Sequence, residues 1–210
     1  LNDATGKLIW DDKWTDNDVI QDDGNASNVN KEQIDRYHDA GWNVYGQIRK
    51  CNLAIQKMEE NETFIEQDRK YLTAQAKMLR AMIYFTRARL FGKLMDHFDL
   101  DLVNRYLQEA APDLPVSLSG QQGMLSRGAA YALIAEVALH GASYIESGQN
   151  EYYAIAKSAS EDLFDLGIYE LDKNYEKLFN EFDYALNSNE IILAQWRHEN
   201  NTTFAGTWMQ

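Results

Sequence analysis

Three tryptophans raise the question of chemistry. Trp10 and Trp14 sit in a stretch dense in Asp, Asn and Gly, and Trp42 follows beside Asn43. A pyranose ring offers flat C–H faces that stack on an indole, while Asn, Asp and Gln side chains take its hydroxyls. Pockets of this kind are mostly apolar with a few placed polar groups, and binding residues concentrate in loops. Trp10, Trp14, Trp42 and Asn43, with Asn17 nearby, are therefore the candidate ligand-binding residues. The competing reading gives each indole a structural task, anchoring a polar loop onto helices. Trp196 closes a short apolar run and reads as core.

Nothing comparable points to catalysis or to a metal. The four histidines, His38, His97, His140 and His198, are scattered. There is no HExxH, no GxSxG and no phosphate-cradling glycine loop. His140 lies on an alanine-rich helix and reads as a bonded core residue. The run Asp96-His97-Phe98-Asp99-Leu100-Asp101 reads as a helix N-terminus, where acids favour the dipole, rather than a ligand set. The acidic stretch from Asp16 to Gly24 has Ile20 and Gln21 where a calcium hand needs an oxygen ligand and a glycine. Carboxylates are plentiful, but no spacing singles out a pair for glycoside hydrolysis. The expectation is a protein with no catalytic residues, no metal and no cofactor.

The formal net charge is -13 over 210 residues. Ten acids stand against Lys7, Lys13, Lys31 and Arg36 in residues 1–40 alone. Such a field repels phosphate, so nucleic acid and anionic membrane surfaces are not expected partners. Cys51 is the only cysteine, which leaves no intrachain disulfide and no thiolate zinc cluster. Its place between Ile48 and Ile55 marks it as a buried, inert thiol. No apolar run reaches the length of a membrane span, and no signal peptide is legible. The sequence starts and stops abruptly, as a piece of a longer protein would.

The elements that must position these residues are mostly helices. Residues 1–30 read as loop, with a short strand or turn at 7–10. A helix starts at Lys31, capped by Asn30, with a break or kink near Gly41, and carries Val44, Ile48, Leu53, Ile55 and Met58. After a turn at Asn61-Glu62-Thr63, a second helix is predicted over 64–91. Ile65, Leu72, Ala76, Leu79, Ile83 and Leu90 form its stripe, and Met78, Met82, Phe85 and Ala88 widen it. Further helices are predicted at 99–111, at 126–146 with Ser126 as cap, and at 151–166, ended by Gly167. The alanines of the 126–146 helix should let a neighbour approach closely. A short helix at 174–180 follows, and Glu190 through Trp196 is the best candidate strand.

This pattern predicts a mainly α protein of tetratricopeptide-like stacked helix pairs, with irregular loops and a minor β element near 190–196. We divide the chain into an acidic loop segment 1–30, a helical-repeat core 31–180 and a short β/loop tail 181–210.

Several motifs occur in one order. They are Tyr45-x-x-Ile48-x-x-x-Asn52, then Ala76-Lys77-Met78-Leu79-Arg80-Ala81-Met82-Ile83-Tyr84-Phe85 with Phe91-Gly92, and Asp101-Leu102 through Leu114-Pro115. Arg127 through Leu133, Tyr152-Tyr153-x-x-Ala156, Tyr169-x-Leu171, Leu178-Phe179 and Glu190-Ile191-Ile192 follow. In this arrangement the sequence resembles the SusD/RagB family of outer-membrane nutrient-binding lipoproteins. Gln75 stands where the family more often has glutamate. The family's lipidated cysteine and its long C-terminal half are absent from this sequence. The resemblance implies a non-catalytic, lipid-anchored protein on the bacterial cell surface, a lid on a SusC-like TonB-dependent transporter. It would capture an oligosaccharide, or a peptide in some branches, and pass it to the pore. Arg80 and Arg127 fall at family-matching positions and read as structural, pairing with carboxylates between helices. Asn52 reads as bonding to backbone or to the adjacent helix. The alternative is a helical-repeat interaction module that binds a partner peptide.

Overall fold

The computed structural model describes residues 44–91, 100–117, 124–181, 184, 185 and 187–193. The chain divides into two compact units, Leu1–Ile48 and Arg49–Gln210. Of the first, only residues 44–48 are described: the start of helix α1 (Tyr45–Glu60), with Val44 and Ile48 buried.

The second unit continues with α2 (Glu66–Phe91) and α3 (Leu100–Ala110), which runs into a 3-10 turn (Ala111–Asp113). Then come α4 (Arg127–Ala142), α5 (Gln149–Asp165) and α6 (Tyr175–Asn180). Local chemistry sets most of these limits. In the turn before α2, the Asn61 side-chain oxygen accepts from the Thr63 N–H at 2.8 Å and the Thr63 hydroxyl at 2.6 Å. Glu66 and Asp68 occupy the first turn of α2, where the helix dipole favours acids. Pro112 has no N–H to continue α3, so the chain tightens into the 3-10 turn. Gly148 (φ 89°) opens α5 and Gly167 (φ 65°) follows it, both in the left-handed region that side chains avoid.

Ser126 caps α4 as its sequence position predicts. Its hydroxyl oxygen accepts from the Ala129 N–H at 3.1 Å and lies 3.3 Å from the Tyr169 hydroxyl. Ser126 is buried, so its loss is not repaired by water. Ser126→Ala is expected to cost about 0.5–2 kcal/mol, read as a lower urea midpoint at unchanged slope.

The core lies where α2, α3 and α4 meet, and α5 packs against α4 and adds Ala159 to the same core. Met78, Leu107, Leu114 and Val137 are its largest fully buried side chains. Contacts on several sides explain why α4 is apolar all round. Its buried residues are mostly small: Gly128, Ala129, Ala130, Ala138, Gly141 and Ala142. Small residues let α5 come close, as the alanine count leads one to expect. Gly141 faces the ring of Tyr152 on α5.

Two expectations need correction. Helix α4 stops at Ala142 and does not reach 146. The Ser143 hydroxyl donates to the His140 carbonyl at 2.6 Å, and the Ser143 and Tyr144 N–H groups bond only three residues back. That tightening closes the helix. The strand expected over 190–196 is not formed at 190–193, and 194–196 fall outside the described residues. The backbone there closes a turn instead, with the Glu190 N–H on the Ser188 hydroxyl and the Ile191 N–H on the Ser188 carbonyl. Among the described residues there is no strand, so the architecture is stacked helices alone.

Candidate functional site

Trp10, Trp14, Trp42 and Asn43 lie outside the described residues, as do residues 96–99 of the acid–histidine run. What the described residues supply is a scaffold and the surfaces between its helices.

The cations on the family-matching positions hold helices together. Arg80 donates from Nη1 to Asn52 Oδ1 at 2.7 Å, tying α2 to α1. Its guanidinium also lies 4.1 Å from the centre of the Tyr106 ring on α3. Arg127 donates from Nε to the Ala111 carbonyl at 3.1 Å and from Nη2 to the Pro112 carbonyl at 2.7 Å. Both arginines are structural, as expected, but the predicted carboxylate partners are replaced by an amide, an aromatic face and two carbonyls. The physical reason is local. The 3-10 turn leaves its carbonyls without helical donors, and the fork of Arg127 reaches two of them. Asn52 does bond to the adjacent helix.

Gln75 makes a link the sequence does not announce. Its side-chain Nε2 donates to the Leu125 carbonyl at 2.6 Å, and its Oε1 accepts from the Leu125 N–H at 3.0 Å. The carboxamide thus pairs with both main-chain polar groups of Leu125, just ahead of α4, in the buried interior.

Cys51 does not have the character of a reactive thiolate. Cys51 is half-buried, and burial pushes its thiol up from its ordinary value, opposite to the shift of a reactive thiolate. His140 is held by rings rather than by the hydrogen bond expected for it. Phe85 meets it edge-on with centres 5.5 Å apart, and Tyr144 lies 4.7 Å away. Burial, helped by Arg89 and opposed by Glu136, pushes its imidazole below the usual value. Asp101 accepts from the Tyr152 hydroxyl at 2.6 Å. Among the described residues no three His, Cys, Asp or Glu side chains converge on a metal position. Nor is any described helix long and apolar enough to cross a membrane.

One surface feature among the described residues is an open groove of about 560 Å³. It is lined by residues that include Met82 of α2, Leu133 of α4, Phe179 of α6, Ile192 and Leu193. Its two carboxylates are both engaged with protein. Glu136 lies 3.3 Å from Arg89, and Glu190 accepts from the Asp172 N–H at 2.7 Å. Such a surface can hold an apolar shape but offers no paired acid and base. The Asp172 cluster that shapes its wall went unnoticed in the sequence. The only available signal was Asp172-x-Asn174, the spacing of an Asx turn.

No protein-family model matches the chain, and no curated protein does. Solved structures do. A SusD superfamily protein from Parabacteroides distasonis matches 73% of this chain at 28% identity with a TM-score of 0.64. A SusD-like protein from Bacteroides fragilis matches 74% of it at 25% identity with a TM-score of 0.58. The matched part is 37% and 33% of those two proteins, so the chain spans about a third of their length. The stacked helices are similar in fold to the SusD-like proteins, the kinship that the ordered motifs imply.

Proposed function

We propose that this chain is part of a non-catalytic, surface-anchored binding protein that captures an oligosaccharide and delivers it to a TonB-dependent outer-membrane transporter. The observation that carries the reading is the similarity of its helical stack to solved SusD-like proteins over three quarters of the chain. Two further features support it. The indoles of Trp10, Trp14 and Trp42, beside amides and carboxylates, have the chemistry of a sugar platform. The acidic charge suits a neutral ligand better than a phosphorylated one. Anchoring at the outer membrane through a lipid belongs to the same proposal.

A second reading, a module that binds a partner peptide, is favoured by the apolar groove beside Met82 and Leu133. Calorimetry against a panel of neutral oligosaccharides and a panel of apolar peptides separates the two. Heat from sugars alone supports capture of glycans, and heat from peptides alone supports the second reading. Silence toward every sugar contradicts the first.

A further inference from the structure

Residues 190–193 line the apolar groove, and several polar bonds of the segment 187–193 converge on one residue, Asp172. Asp172 Oδ1 accepts from the Asn174 N–H at 2.8 Å and from the Tyr184 hydroxyl at 2.7 Å. Its Oδ2 accepts from the Ser188 hydroxyl at 2.7 Å. The Asp172 N–H donates in return to Glu190 Oε2 at 2.7 Å. Main-chain bonds add to the link: the Glu170 N–H to the Asn189 carbonyl at 3.4 Å, the Asn187 N–H to the Tyr184 carbonyl at 3.1 Å and the Ser188 N–H to the Ala185 carbonyl at 3.1 Å. Residues 187–193 belong to no helix or strand, so no regular ladder supports them. An apolar attachment joins these bonds. Ile192 packs partly buried against the core, while Leu193 is 41% exposed.

We propose that residues 187–193 are a strap buckled by Asp172, able to lift from the groove while the helices stay folded. Hydrogen bonds to an ionised carboxylate are about twice as strong as neutral ones, so the Asp172 side chain is a principal tie among the described contacts. Segments with few buried contacts open locally at less cost than the whole domain. Lifting the strap bares Met82 and Leu133, which line the groove. Among the described residues, several charged groups lie around the buckle. Glu190 is fixed by the Asp172 N–H, and Glu170 and Lys173 flank the buckle in sequence. Lys177 pairs with Glu181 at 3.1 Å and lies 5.3 Å from the centre of the Tyr184 ring. The Asn174 N–H and the Ser188 and Tyr184 hydroxyls hold the Asp172 carboxyl below its ordinary value. The contribution of this tie is therefore complete above the carboxyl's unfolded pKa and is lost as pH falls through its lower folded value.

Amide hydrogen exchange on the full chain, for wild type, Asp172→Ala and Ser188→Ala, tests the strap. The Glu190 and Ile191 amides should exchange at least about tenfold faster in Asp172→Ala, with Ser188→Ala in between. The amides of Val137 and Ala138 in α4 should not change. An apolar dye should brighten with Asp172→Ala. Unchanged Glu190 and Ile191 exchange, absent protection of these amides in the wild type, or an equal acceleration in α4 would each overturn the proposal.

Discussion

Gln75→Ala is expected to destabilise the helical unit more than any other single truncation discussed for this chain. Gln75 and Leu125 are 7% and 6% exposed. The substitution strips partners from the Leu125 N–H and C=O together, and each buried group left bare costs about 1–3 kcal/mol. The linkage spans a long stretch of sequence and fixes the approach to the Ser126 cap, so the start of α4 should fray with it. Urea denaturation followed by circular dichroism measures the loss. Gln75→Glu divides the effect, because a carboxylate can accept from the Leu125 N–H but cannot donate to the carbonyl. Its buried, carbonyl-facing oxygen should raise the folded pKa above the unfolded value. That variant should then be most stable below the unfolded pKa, with stability lost as pH rises through the folded one. A Gln75→Glu protein whose stability rises over that interval would contradict the geometry.

The second large effect is expected at Gly141. Alanine at a helical glycine ordinarily stabilises, since glycine costs about 0.5–1 kcal/mol in a helix interior. Here the sign should reverse. A Cβ on Gly141 would lie 2.5 Å from Cε1 and 2.8 Å from Cδ1 of Tyr152, and 3.4 Å from Leu100 Cδ1. The Tyr152 ring is not free to swing away, because its hydroxyl donates to Asp101 at 2.6 Å. Either α5 lifts from α4 or that bond breaks, at about 1–3 kcal/mol. Gly46 in α1 is the control, with nothing within 4 Å of its added Cβ. Gly141→Ala should lower the melting temperature, and Gly46→Ala should leave it level or raise it.

The helices were legible where periodicity and punctuation agree. The spacing from Ile65 to Leu90 locates α2 to within two residues of its start, and its end at Phe91 is as expected. Ser126 and Gly167 mark boundaries because capping and left-handed backbone are local physics. The segment 190–193 misled for a specific reason. Ile191-Ile192-Leu193 has the apolar look of a strand, yet its backbone partner is Ser188, a choice driven by the distant Asp172. The partners of Arg80 and Arg127 were likewise illegible. Residue type announces a cation, but which carbonyl or amide stands within reach depends on how α1, α3 and the 3-10 turn pack. The stacked helices were readable in advance. The stacking residues Trp10, Trp14 and Trp42 stay a reading of sequence chemistry.

The central claim is that ligand capture belongs to those indoles and stability to the helices. It is tested most directly by titrating neutral oligosaccharides into the wild-type chain and into a Trp10→Ala, Trp14→Ala double variant, with thermal unfolding of both recorded in parallel. The account predicts that the double variant loses binding while its melting temperature stays within a few degrees of wild type. Retained binding, or a collapse of the helical transition with loss of binding, would contradict it.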